Sequence, residues 1–178
     1  MLRVQSMKIS VAQILGRPGT QKEVPIAASL EGVQGALARI SEDPVTGTLK
    51  LEAVVEGILV TGRAEATIEL ECARCLKKFD TRVASEVCDL FVAPGADAPE
   101  EDAYRIDGLE IDLEPLLRDV FGLELPLNPV CSKECKGLCA HCGTDLNAGP
   151  CDCSDEETDP RWAPLEELKA KLENERIS

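Results

Sequence analysis

The sequence predicts an α+β fold: an antiparallel β-meander or partly closed barrel core, one or two packed helices and a cysteine-rich C-terminal module. Three observations predict it. Apolar and polar residues alternate through 48–61, 64–71 and 79–92, the period of half-buried strands. Leu113, Leu116, Leu117, Val120 and Phe121 recur at helical spacing. Six of the nine cysteines crowd into residues 131–153. The organisation expected is a β-rich core over 1–130 with a helix at about 112–122, a cysteine module over 131–153 docked on that core, and an acidic linker with a C-terminal helix over 154–178.

Residues 7–15 read as the opening strand, stopped by the Gly16-Arg17-Pro18-Gly19 turn. Residues 24–30 are extended. The small and apolar residues of 32–40 suit a strand or a short helix, which Ser41-Glu42-Asp43-Pro44 breaks. Strands then follow at 48–61 and 64–71, turning at Thr61-Gly62-Arg63. The second of them delivers Cys72, so the Cys72-Ala73-Arg74-Cys75 knuckle stands at a hairpin tip on a rigid scaffold. A third strand over 79–92 completes the meander, with Cys88 inside it as a buried small hydrophobe. Residues 94–102 are acidic and without period, hence a mobile loop. Asp107-Gly108 is a hairpin turn between 104–106 and 109–111. Asp112 caps the helix, Pro115 lies in its first turn and Gly122 stops it. Beyond the acidic 154–159, a helix from Pro164 to about Arg176 carries an apolar stripe of Leu165, Leu168 and Leu172.

The formal net charge of −14 disfavours non-specific RNA binding by the whole surface. Residues 1–41 sum to +3 and residues 97–114 to −7, so the two blocks suit different neighbours. Aromatics make up 3 % of the chain, too few for a base-stacking platform. No secretory pattern and no membrane-length apolar run is present, which points to the cytoplasm. In a reducing compartment, nine thiols are metal ligands before they are disulfides.

Two residues between cysteines let both sulfurs and the following N–H groups wrap one cation, and tetrahedral zinc takes four such thiolates. Cys139-Ala140-His141-Cys142-Gly143 has that form, with glycine where the chain turns at positive φ. The simplest division assigns Cys72, Cys75, Cys131 and Cys135 to one structural zinc, and Cys139, Cys142, Cys151 and Cys153 to another. A single downstream site of Cys135, Cys139, Cys142 and one of Cys151 or Cys153 competes with it, and His141 is an alternative ligand. Loading both sites takes the chain to about −18, because each four-thiolate zinc adds a net charge of about −2. Arg74, Lys77, Lys78, Lys133 and Lys136 surround the knuckles and are the candidate RNA contacts. One histidine leaves little for thiol-and-base catalysis, and no P-loop, dinucleotide fingerprint or hydrolase elbow occurs.

The segments Leu70-Glu71-Cys72-Ala73-Arg74-Cys75-Leu76, Leu125-Pro126-Leu127-Asn128-Pro129-Val130-Cys131 and Gly137-Leu138-Cys139-Ala140-His141-Cys142-Gly143-Thr144-Asp145-Leu146-Asn147 occur in that order. Through them the chain resembles the YceD family of large ribosomal RNA subunit accumulation proteins over roughly residues 1–175. The resemblance implies a role in the synthesis, processing or stability of large-subunit ribosomal RNA, and it names no active site. Together with the residues it favours a non-enzymatic ribosome-assembly factor, whose acidic surface engages a basic ribosomal protein or assembly factor and whose cationic zinc face touches RNA. The alternative is a nuclease or RNA-modifying enzyme acting on precursor ribosomal RNA.

Overall fold

The computed structural model describes residues 7–93, 103–153, 164–165 and 168–169. The chain divides into two compact units, Met1–Cys135 and Lys136–Ser178. Among the described residues the first unit holds seven strands and one helix: β1 (Lys8–Ser10), β2 (Gln21–Ala28), β3 (Ala38–Ile40), β4 (Val45–Ala53), β5 (Gly57–Glu71), β6 (Lys78–Val92), β7 (Glu110–Asp112) and α1 (Leu113–Glu124). Strands β4, β5 and β6 form the expected antiparallel meander, and β2 adds to the outer side of β4. Strand β5 is the spine. Along one side it pairs with β4 and then β3, and along its whole other side with β6.

Alternation decides what is buried. Leu49 and Leu51 of β4, Ile58, Val60, Ala64, Ala66 and Ile68 of β5, and Val87 and Phe91 of β6 all turn into one core. Helix α1 closes that core with Leu113, Leu116, Leu117 and Phe121, each at most 1 % exposed. Asp112 starts the helix as expected, its carboxylate accepting from the Glu114 N–H at 3.0 Å. The helix runs through Gly122 to Glu124, past the expected stop, because the breaker is Pro126: it holds Leu125 in extended backbone (φ −66°, ψ 118°).

Several expectations are corrected. The sheet is open, since among the described residues β2 and β6 do not pair with each other and no barrel closes. The opening strand spans only Lys8–Ser10 and pairs with β7 in a separate two-stranded sheet. After it, the N–H groups of Ile14 and Leu15 both bond back to Val11 O and turn the chain. The expected turn at Thr61-Gly62-Arg63 lies inside β5, and the real hairpin turn is at Val55-Glu56, closed by Val54 N–H to Gly57 O at 2.9 Å. Gly62 is a glycine of close approach: a Cβ there would stand 2.4 Å from Thr48 O. Cys88 is exposed, because the inward positions of β6 are Ser85, Val87 and Phe91 and the neighbouring register position points to solvent.

The loop expected over 94–102 lies outside the described residues. So does most of the expected C-terminal helix, of which 164–165 and 168–169 have helical backbone with Leu165 and Leu168 about half exposed. No helix among the described residues is long and apolar enough to cross a membrane.

Candidate metal centres

The hairpin between β5 and β6 carries the first knuckle at its tip. Cys72 N–H donates to Lys77 O at 2.9 Å and Leu76 N–H to Cys72 O at 2.9 Å, which folds residues 72–77 into a tight loop. Leu76 accepts a left-handed backbone there, at φ 59°. Two long-range bonds bring up the other half of the site: Ala73 N–H donates to Pro129 O at 2.8 Å, and the Arg74 guanidinium donates through Nη1 to Cys135 O at 2.8 Å. Cys135 N–H in turn bonds Ser132 O at 3.2 Å, curling residues 131–135 back on themselves.

The result is that the Sγ atoms of Cys72, Cys75, Cys131 and Cys135 all lie within 4.8 Å of one another. Cys72 Sγ is 3.8 Å from Cys135 Sγ, and Cys75 Sγ is 3.6 Å from Cys131 Sγ. A disulfide would need about 2.05 Å. Zn–S bonds of about 2.3 Å at tetrahedral angles separate sulfurs by about 3.8 Å. The donor set therefore fits a tetrahedral ion. Cys72 and Cys135 are buried, whereas Cys75 and Cys131 are half-buried.

The electrostatics point the same way. N–H groups of Cys131 first, and then of Cys75 and Arg74, donate to the Cys72 sulfur and lower its thiol to about 6. Cys131 moves in the opposite direction, pushed up to about 12 by its bond with Cys75 and by burial. One thiolate in the cage opposes ionisation of the others unless a cation enters.

The second quartet is built within a short stretch of the second unit. Gly137, at φ 77°, begins a small hairpin in which Leu138 bridges Asp145. Cys139 N–H donates to Thr144 O and Gly143 N–H to Cys139 O, both at 2.9 Å. Gly143 has the positive φ expected of it, 74°. Asp145 Oδ1 accepts from Asn147 N–H at 2.9 Å, and Asn147 Oδ1 accepts from Lys136 N–H at 2.8 Å, so these two side chains brace the loop. The Sγ atoms of Cys139, Cys142, Cys151 and Cys153 lie within 4.8 Å of one another. The Thr144 hydroxyl, 3.2 Å from Cys142 Sγ, and then its backbone N–H lower that thiol to about 6, while Cys153 is pushed up to about 12, first by its bond with Cys142 and then by burial. Cys142 and Cys153 are exposed.

The sulfurs thus gather in the two fours that the spacing suggested. The competing single downstream cluster does not form, since Cys135 stands with Cys72. Exposed His141 belongs to neither four. Of the candidate RNA contacts, Arg74, Lys77 and Lys133 are exposed on the ligand-bearing loops of the first unit, Lys78 is exposed at the start of β6, and Lys136 is exposed at the start of the second unit. Arg74 has a bracing role that the sequence did not disclose. The Asp145-x-Asn147 pattern, by contrast, is a recognisable side-chain-to-backbone turn.

Comparison with known proteins adds an independent line. A family model described as "Large ribosomal RNA subunit accumulation protein YceD" matches residues 60–169, which include both quartets. The chain is 38% identical over 175 residues to an uncharacterized protein of Mycobacterium tuberculosis, covering 91% of this chain and 81% of the relative. It is 37% identical over 163 residues to one of Mycobacterium leprae, covering 86% and 73%. A chloroplastic protein of Arabidopsis thaliana, named "Large ribosomal RNA subunit accumulation protein YCED homolog 1", matches at 39% over 64 residues, 36% of this chain and 20% of that one. No solved structure matches the chain.

Proposed function

Because the chain belongs to the YceD family of large ribosomal RNA subunit accumulation proteins, we propose that it is a non-enzymatic ribosome-assembly factor. In this reading it is a zinc-stabilised binding protein of the cytoplasm that supports synthesis, processing or stability of large-subunit ribosomal RNA. The observation that carries the reading is the chemistry of the two quartets. Each offers four thiols and, among the described residues, no other donor, and four thiolates complete a tetrahedral zinc shell with no position left for substrate. Bound zinc supplies charge neutralisation and a cross-link between loops. The residues that hold it are Cys72, Cys75, Cys131 and Cys135 in one site, and Cys139, Cys142, Cys151 and Cys153 in the other.

Exposed Lys77, Lys78 and Lys133 give the loops of the first quartet a cationic character in a chain of net charge −14. Such a local patch suits phosphates, with Arg74 shared with the brace to Cys135. The acidic run that includes Glu100, Glu101 and Asp102 suits a basic ribosomal protein or another assembly factor. Two assays test the reading. Purified metal-loaded protein should leave precursor ribosomal RNA uncut and unmodified with or without magnesium; turnover abolished by one acidic substitution would assign an enzyme instead. Affinity capture from nuclease-treated cells should retain ribosomal proteins or assembly factors, and loss of every partner with the RNA overturns the protein-binding half.

A further inference from the structure

Strand β6 has one side fully paired and one side open. It runs 15 residues, Lys78–Val92, and its ladder with β5 is continuous from Lys78 to Val92 without a bulge. Among the described residues its other side is met only at the end, where Val92 N–H donates to Tyr104 O and Val92 O accepts from Ile106 N–H. That pair fixes the phase of the strand. N–H and C=O of one residue point to the same side and alternate along the chain, so Val92 and the even-numbered residues before it direct their backbone groups away from β5. Two bonds on the β5 side agree with this phase: Lys77 O accepts from Cys72 N–H, and Ala93 N–H donates to Glu56 O. Residues 78–88 therefore present the backbone groups of Lys78, Asp80, Arg82, Ala84, Glu86 and Cys88 with no described strand against them.

Neither proline nor shortness protects this edge, which carries charge instead, at Lys78, Asp80, Arg82 and Glu86. Strand β2, the opposite edge, contains Pro25, and β3 is three residues long. Strand β6 contains neither proline nor glycine. The charges along it are self-complementary about Ala84 over residues 80–88; centring on Thr81 also sets opposite charges together, Asp80 against Arg82, but pairs only residues 78–84 of the strand. Two copies pairing antiparallel about Ala84 set Arg82 of each opposite Glu86 of the other, with Ala84 facing itself at the two-fold axis and Asp80 facing Cys88. Centring on Arg82 or Glu86 sets like charges face to face, centring on Val83 sets Asp80 against Glu86, and centring on Ser85 pairs no opposite charges. Neither Arg82 nor Glu86 makes an ion pair with the described residues of its own chain.

We propose that the chain is a homodimer in which β6 of one copy pairs antiparallel with β6 of the other about Ala84, making one continuous sheet. The pairing spans residues 80–88 and stops before Val92, where Tyr104–Ile106 occupies the edge. The proposal is independent of the zinc and of the RNA reading.

Sedimentation of the full metal-loaded chain should yield about twice 19.2 kDa, and a monomer at every concentration overturns the proposal. Ala84→Pro should give a monomer with unchanged circular dichroism, since the N–H it removes points to the open side and serves no bond within the chain. A dimer that survives Ala84→Pro places the interface elsewhere. Arg82→Glu and Glu86→Arg should each weaken the dimer about tenfold, because each change turns two favourable cross-strand pairs into two unfavourable ones. The double swap should restore the affinity to near its original value, and failure of that rescue removes the Ala84 register. In Asp80→Cys, mild oxidation should cross-link the new thiol to Cys88 of the other copy, because facing residues on an antiparallel ladder have Cα atoms about 5.5 Å apart, within disulfide range. Absence of that cross-link in a protein that sediments as a dimer also counts against the register.

Discussion

The two cysteine quartets share a knuckle geometry and differ in what stands behind them. In each, the residue after the second cysteine donates its N–H to the carbonyl of the first at 2.9 Å, from Leu76 to Cys72 and from Gly143 to Cys139. The first quartet joins residues as far as 63 positions apart and is mounted on the ends of two 15-residue strands. The second lies between residues 139 and 153, where no described apolar side chain is buried. The difference teaches that one ligand set can serve two purposes. In the first unit the thiols tie the 131–135 segment to a sheet that has its own core. In the second, no buried apolar side chain among the described residues stands behind the thiols, and a bound metal would have to serve in place of a core.

The largest expected effect breaks this comparison or confirms it. Removing metal should abolish amide-exchange protection over residues 137–148 while β4, β5 and β6 stay protected, because structural zinc contributes on the order of 10 kcal/mol to modules without a core. Retained protection at Cys139, Gly143 and Leu146 after chelation would mean that the loop bonds alone hold the second unit. Native mass spectrometry should count two zinc ions per chain, with Cys139→Ser releasing one and Cys72→Ser releasing the other. Loss of both ions from either variant would make the sites a single cooperative unit.

A core substitution should act in the opposite direction. Phe121 is fully buried in the first unit, so Phe121→Ala should cost about 3–5 kcal/mol in denaturant unfolding. The second quartet should keep its metal in that variant, and its release would couple the two units.

Smaller effects separate the knuckles themselves. Leu76 is 54% exposed and sits at φ 59°, whereas Gly143 occupies the same place at φ 74°. Leu76→Gly should therefore stabilise the metal-loaded first unit by about 1 kcal/mol, and Gly143→Ala should weaken the second by about 1 kcal/mol. Equal signs for the two changes would show that packing, not backbone conformation, governs the knuckle. The smallest effect concerns RNA. Reversing Lys77 and Lys78 to Glu should flatten the dependence of log affinity on log salt by about 1.4 for single strands, the share of two phosphate contacts. An unchanged slope removes the first knuckle from the RNA surface.

What the sequence determined by itself was local. Two-residue cysteine spacing, the glycine at 143, the Asp112 cap and the alternation over 79–92 are short-range patterns, and each is legible because its physical cause acts within a few residues. The grouping of Cys72 and Cys75 with Cys131 and Cys135 followed from counting pairs, but the bonds that bring it about, from Ala73 to Pro129 and from Arg74 to Cys135, belong to the tertiary structure. Tertiary structure also decided that Gly62 lies within a strand. A glycine reads locally as a turn, and only the close passage of Thr48 against it explains why a side chain is missing there. The exposure of Cys88 and the left-handed Leu76 were settled in the same way, by the face of the sheet that met the helix and by the loop geometry that the knuckle imposes. Closure of the sheet was undecided for the same reason: strand period prescribes alternation within each strand, and whether the outermost two strands meet depends on twist and on what covers the core, here α1.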